Sequence, residues 1–208
     1  MSTPVIVLGG GGHAKVLVEA LVAQGTEILG VVDPCPELAN AVILGVRVIG
    51  DDGKVLEHSP EEISLVNGVG TTCVTGKRRE LFEHFKSTGY RFATVRHPSS
   101  VVASDVNVAE GAQIMAGVVI QPGCEIGENS IVNTRVSVDH DCRIGAHVHL
   151  APGVTLSGVV VVGDGSHVGT AAAVIQGIRI GRNCLVAAGA VVVGDVPDGA
   201  SVVGIPAR

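Results

Sequence analysis

Apolar residues in the second half of the chain recur with a period of six. Val102, Val108, Ile114, Ile120, Ile126, Val132, Val138, Ile144, Leu150, Leu156, Val162, Val168, Val174, Ile180, Val186 and Val192 form sixteen consecutive steps without a miss. Residues 102–197 hold 32 Val, Ile or Leu in 96 positions, so half of them occupy one sixth of the sites. A helix repeats every 3.6 residues and a simple strand every two, so neither produces this pattern. A strict hexad is the mark of a parallel β-helix, in which short strands and turns wind into a stacked coil. A second column follows four residues after the first, from Val106 and Ala112 to Ala190 and Val196, and every member is small or β-branched. The first column fills the coil interior and the second fits a tighter corner. Three hexads make one coil of 18 residues, so sixteen give five coils and a third, stacked about 4.8 Å apart. Gly, Asp, Asn and Pro occupy the remaining positions, as tight turns require.

The first 96 residues are patterned differently. An apolar run, Pro4 to Leu8, precedes Gly9-Gly10-Gly11-Gly12-His13-Ala14-Lys15, after which Val16, Leu17, Ala20, Leu21 and Ala23 recur at helical spacing. Further strands are expected at 27–33, 46–49, 64–70 and 90–95. A polar helix is expected over 76–88, with Leu81 and Phe85 facing inward. Strand and helix alternate, which predicts a small Rossmann-like α/β domain over 1–96, with the coil over 97–208. The fold class is therefore mainly β.

Composition agrees with a repetitive, small-residue core. The chain is 46% hydrophobic but 2% aromatic, with 29 glycines and no tryptophan. A net charge of −6 argues against a nucleic-acid partner. No basic leader with an apolar run and no long apolar stretch occurs, so neither a signal peptide nor a membrane span is expected. Three of the five cysteines, Cys124, Cys142 and Cys184, fall in the corner column, and no CxxC pair occurs. They read as buried small hydrophobes in a cytoplasmic protein.

Two sets of residues carry chemistry. Gly9-x-Gly11-x-x-Ala14, between a strand and a helix, suits an anion held by backbone amides at a helix N-terminus. Asp33, at the end of the next strand, can reach a ribose or a base. This points to a nucleotide or to a plain tight turn; the domain is too short for a full NAD-binding sheet. On the coil, His140 is flanked by Asp139 and Asp141. It admits three readings: a zinc ligand, a general base oriented by a carboxylate, or a solvated turn residue. For His147 the solvated turn is preferred. His149 and His167 are 18 residues apart, so they stack on one edge. Two imidazoles without a third make a weak metal site, so no metal is expected. His140 with Asp141 is the better catalytic pair, at an outward turn.

The hexads, Val138-Asp139-His140-Asp141-Cys142-Arg143-Ile144-Gly145, His149-Leu150-Ala151-Pro152-Gly153 and Gly204-Ile205-Pro206-Ala207 resemble the hexapeptide-repeat acyltransferases. Gly10-Gly11-Gly12-His13-Ala14-Lys15 narrows the resemblance to a sugar acetyltransferase subfamily. That subfamily includes bacterial nucleotide-sugar 4-amino N-acetyltransferases and sialic acid O-acetyltransferases. The resemblance implies a left-handed coil and a homotrimer, with acetyl-CoA as cosubstrate between neighbouring coils. His140 matches the family's base, Asp141 the following acid, and His149 a residue lining the acetyl-CoA site. Gly158, Gly169, Thr170, Ala187 and Ala188 fall where the family lays pantetheine. Gly11, Gly12, His13 and Asp33 match its nucleotide-sugar site. The activity implied is N-acetylation of a UDP- or GDP-linked 4-amino sugar in the cytoplasm, for lipopolysaccharide or another surface glycan. O-acetylation of sialic acid or another sugar hydroxyl is the alternative.

Overall fold

The computed structural model describes residues 3–71 and 76–208, so Cys73 lies outside the described residues. The chain divides into two compact units. The first runs to Gly70 and resumes over Gly76–Pro98; the second comprises residues 99–208 together with Thr71.

In the first unit, β1 (Val5–Leu8) leads into α1 (Gly12–Ala23) and β2 (Ile28–Val32). There follow β3 (Val42–Ile43), β4 (Val46–Gly50), β5 (Ser64–Asn67), α2 (Gly76–Ser87) and β6 (Arg91–Phe92). The sheet order is β3-β4-β2-β1-β5-β6. All neighbours are parallel except the β3–β4 hairpin. Successive strands step outward from β1 on one side and then on the other. The order therefore reverses between β1 and β5, where an open α/β sheet forms its ligand crevice. The last expected strand divides in two, β6 and then β7 (Val95–Arg96).

All the chain's phenylalanines and its tyrosine lie here: Phe82, Phe85, Phe92 and Tyr90 pack against Ile6, Leu8, Val32 and Leu65. The inward face of α2 is Phe82 and Phe85, with Leu81 only partly buried, a shift of one residue from the face expected. Arg78 also points inward. It is 1% exposed, and Nη1 donates to the carbonyls of Asn67 (2.7 Å) and Val69 (2.8 Å). Arg78 is thus a buried strut between α2 and the end of β5, although it stands at the polar start of the helix. Burial pushes its pKa down to about 9, so it remains charged at neutral pH.

The second unit is the coil. Sixteen two-residue strands run from Val101–Val102 to Val191–Val192, one per hexad. Each pairs in parallel with the strand 18 residues later, as Val119 with Ser137, Arg143 with Val161 and His149 with His167. Three faces result. Face 1 carries the strands starting at 101, 119, 137, 155, 173 and 191; face 2 those at 107, 125, 143, 161 and 179; face 3 those at 113, 131, 149, 167 and 185. At the end the period lapses, and Leu185 pairs with Ser201. The inward column is buried from Ile114 onward.

Corner residues do more than fit. Ser130, Ser166, Cys124 and Cys142 each donate to the carbonyl fifteen residues on, as Ser166 Oγ to Gly181 (2.7 Å) and Cys142 Sγ to Ser157 (3.2 Å). Buried carbonyls that the turns would orphan are thereby satisfied. Each turn from Gly111 to Gly189 also holds one residue with positive φ, six apart in sequence. Glycine fills half of these positions, and Asn129, Asp141 and Asn183 are side chains that tolerate this conformation. Val159 (φ 63°) is the β-branched exception.

Candidate functional site

The corner between faces 1 and 2 carries His140. Its ring is half exposed, and Nδ1 lies 2.8 Å from Asp141 Oδ2. The carboxylate accepts from Nδ1–H, which leaves the Nε2 lone pair as the basic site. The hydrogen bond to Asp141 raises the His140 pKa above its ordinary 6.5. Two glycines make room for the pair. A Cβ on Gly158 would stand 2.5 Å from His140 Nε2. One on Gly123 would press into the Asp141 carboxylate. The Gly158 N–H makes none of the coil's backbone hydrogen bonds among the described residues. Cys124 Sγ holds the Asp139 carbonyl (3.0 Å) and Cys142 Sγ the Ser157 carbonyl, so each thiol anchors the residue before His140 or Gly158. Burial pushes the Cys142 thiol up to about 11, which leaves it protonated and inert.

A groove of about 360 Å³ runs along the corner between faces 3 and 1. It brings together five residues singled out from the sequence: His149, Gly169, Thr170, Ala187 and Ala188. It adds Thr71, Pro152, His167 and Leu185, which the sequence reading did not assign to a site. Gly158 is not among them; it belongs to the His140 corner. Gly169 is required by the coil itself, since a Cβ there would meet Ala188 N at 2.6 Å and Val186 O at 2.7 Å. The N–H groups of Thr170 and Ala188 take no part in the coil's backbone hydrogen bonds among the described residues. The groove therefore offers small side chains and open backbone donors, which suits an extended chain bearing amide carbonyls.

His149 and His167 stack as expected, with ring centroids 4.8 Å apart and planes at 87°. Both are buried. His147 is buried too, 6% exposed, with Nδ1 3.0 Å from Asn129 Nδ2. This corrects the solvated turn: the position is a turn with φ 58°, but the ring packs down on the coil below. No cluster of three or more His, Cys, Asp or Glu suited to a metal occurs among the described residues.

In the first unit, a pocket of about 320 Å³ opens at the strand ends and is lined by Gly9, Asp33, Asp52, Val69, Lys77 and His84, among others. Asp33 lines it while tying two loops together: Oδ2 accepts from Gly10 N–H (2.6 Å) and Oδ1 from Cys35 N–H (2.8 Å). Gly9 makes the turn at φ 92°. Gly11 and Gly12 have nothing within 4 Å of an added Cβ, so their backbone is open to approach. Ala14 packs against Gly68, where a Cβ would meet it at 2.9 Å. Gly11, Gly12 and His13 stand at the α1 N-terminus but do not line the pocket. Sequence reasoning missed Asp52 and His84, since nothing local marks them; the sheet order gathers them.

A further concavity, about 670 Å³, lies along face 2 and contains none of the candidate site residues. Three arginines there, Arg143, Arg179 and Arg182, face four carboxylates, Glu125, Asp164, Asp195 and Asp198, so the lining has no net positive charge to hold an anion.

Comparison with known proteins matches residues 4–85 to the PglD N-terminal domain and residues 123–158 to the bacterial transferase hexapeptide (six repeats). A GDP-perosamine N-acetyltransferase of Escherichia coli O157:H7 is 36% identical over 75 residues, spanning 36% of this chain and 34% of that protein. PerB from Caulobacter crescentus, solved with CoA and GDP-perosamine, is similar over 99% of this chain and 96% of its own, with TM-score 0.90 and 40% identity. The acetyltransferase domain of PglB from Neisseria gonorrhoeae FA1090, solved with acetyl coenzyme A, is similar over 100% of this chain and 99% of its own, with TM-score 0.92 and 35% identity.

Proposed function

From its place among the hexapeptide-repeat sugar N-acetyltransferases, the family to which this chain belongs, we propose that it acetylates the 4-amine of a nucleotide-diphosphate sugar. The observation that carries this reading is the His140–Asp141 pair: a hydrogen-bonded, solvent-accessible imidazole whose Nε2 stands over the bare Cα of Gly158. A sugar amine with a pKa of about 8 is partly ammonium near neutral pH and must lose a proton to attack. His140 Nε2 accepts that proton, and Asp141 stabilises the imidazolium; such transfer contributes roughly 10²- to 10⁴-fold. The amine nitrogen bonds to the thioester carbon, the C–S bond breaks, the departing thiolate takes the proton held on His140, and the second proton that nitrogen loses on becoming an amide passes to solvent. The unengaged N–H of Gly158 suits the oxygen that gains charge. The corner groove, with His149, Gly169, Thr170, Ala187 and Ala188, holds acetyl-CoA.

The pocket at β1, β2 and β5 receives the nucleotide, with Asp33 on its wall, and Gly11, Gly12 and His13, at the α1 N-terminus outside that lining, are assigned to the diphosphate. GDP is the first nucleotide to try, since one relative is named for GDP-perosamine and another was solved in complex with it. The active assembly is a trimer with sites between copies. Support comes from the coil: His140 projects from one corner and the groove follows another, with the whole of face 1 between them. Substrates of these classes place the reaction in the cytoplasm, upstream of surface-glycan assembly.

The test is thiol release from acetyl-CoA with GDP-, UDP- and dTDP-linked 4-amino sugars, set against free sialic acid. Turnover with a nucleotide-linked amine is expected, abolished by His140→Asn and given a raised acceptor KM by Asp33→Asn. Turnover confined to sialic acid would mean O-acetylation instead.

A further inference from the structure

His149 and His167 look alike in the sequence, one coil apart on the same face, yet their hydrogen-bonding states differ. Asn133 settles His149. Asn133 Oδ1 accepts from the Thr134 N–H (2.8 Å), so its amide nitrogen faces His149 Nε2 (3.1 Å) and donates to it. His149 therefore carries its hydrogen on Nδ1, which reaches the Thr71 hydroxyl (2.8 Å) and carbonyl (3.1 Å). Both ring nitrogens are engaged within the second unit, so this imidazole shapes the groove wall and has no hydrogen to offer.

His167 is the opposite case. It is 7% exposed and lines the groove. Its Nδ1 is the one buried side-chain nitrogen or oxygen among the described residues with no hydrogen-bond partner. An orphaned lone pair costs less than an orphaned N–H, so the hydrogen belongs on Nε2, the ring atom left to the groove. Burial holds the pKa below its ordinary value, which keeps the ring neutral at neutral pH. Nothing in the coil requires a histidine here. The equivalent positions on the neighbouring strands are His149 and Leu185, and a leucine would fill the site without leaving an unpaired nitrogen. A buried polar group retained at this cost points to a ligand.

We propose that His167 positions the acyl donor, its Nε2–H donating to an amide carbonyl of the pantetheine arm in the groove beside Thr170 and Ala188. This rests on the acetyl-CoA reading above. It predicts that donor binding and protein stability respond to substitution in opposite senses. His167→Leu removes the orphaned nitrogen, so Tm should hold or rise, while the Kd for coenzyme A measured by calorimetry should weaken about fivefold to tenfold. His167→Gln, which restores an N–H of similar reach, should recover most of the affinity. The acceptor KM should not move in either variant. In wild-type protein labelled with ¹⁵N-histidine, coenzyme A should shift the His167 Nε2 resonance and leave the His149 nitrogens in place, a measurement needing no variant to fold. Equal coenzyme A affinity in His167→Leu overturns the proposal, as does a loss that Gln fails to repair or an unmoved His167 resonance in saturated protein. If wild type binds no coenzyme A, the groove assignment falls and His167's role with it. If wild type binds and the Leu variant binds equally, only the role of His167 falls.

Discussion

A single hydrogen bond decides the chemistry His140 can perform. By raising the imidazole pKa, Asp141 makes Nε2 a stronger base but delays its availability to higher pH. The reaction needs neutral imidazole, so the acid limb of kcat/KM should lie above 6.5 in the wild type. Asp141→Asn removes the carboxylate and should move that limb to lower pH, with kcat lowered because the imidazolium loses its counter-charge. A rate profile across pH 5–9 checks this; a limb that stays put in the variant would detach Asp141 from the base. The pairing of His140 with Asp141 was legible because the two are adjacent at an outward turn, where an imidazole and a carboxylate can reach each other. Arg78 and His147 were not. Their partners are the carbonyls of Asn67 and Val69 and the amide of Asn129, and only the folded chain brings these close. Isolated charged or polar residues in a polar stretch look solvated until such partners appear.

Along the turns, glycines that look equivalent do different work. The hexad marks Gly158 and Gly163 alike as turn residues. A Cβ on Gly163 would run into backbone, at 2.6 Å from the Gly181 carbonyl carbon and 2.7 Å from its oxygen. The nearest atoms to one on Gly158 are those of the His140 ring, which is half exposed and can swing aside at the cost of its bond to Asp141. Gly163→Ala should therefore lower Tm by about 2–10 °C, the effect of forcing 1–3 kcal/mol of overpacking into a chain this size, with the site's chemistry unaltered. Gly158→Ala should leave Tm within about 2 °C yet cut kcat roughly 10²-fold or more by displacing the base. Paired melting curves and turnover assays separate them, and a Gly158→Ala protein with near-wild-type kcat would show that His140 need not sit where it does. The coil itself was readable because a period of six admits one architecture and fixes which residues face inward. What each turn does was not, because it depends on the residue 18 positions away.

At the scale of the molecule, one consequence of the coil's triangular winding reaches past a single chain. Residues 139–142 and 157–160 fall on the corner between faces 1 and 2, while residues 151–152, 169–170 and 187–188 fall on the corner between faces 3 and 1. The hexad phase alone assigns these corners, so their separation was legible. The grouping of Thr71 with the coil was not, since its only signal is a contact with His149 made 78 residues away. With His140 as the proposed base and the groove as the proposed donor site, face 1 separates the two within one coil, and the cyclic symmetry of the proposed trimer would set one corner of each copy against a different corner of the next. Chains carrying His140→Ala and chains carrying Ala188→Trp should each be inactive when assembled alone. Co-expressed in equal amounts with different tags and purified through both, they should regain activity, because some interfaces pair an intact base with an intact groove. Every trimer that carries both tags has one whole site in three, so about a third of the wild-type activity should return. If both variants keep their assembly size by light scattering and the mixture still shows no turnover, base and groove act within one chain, and the shared site is wrong even if the acetyl transfer is right.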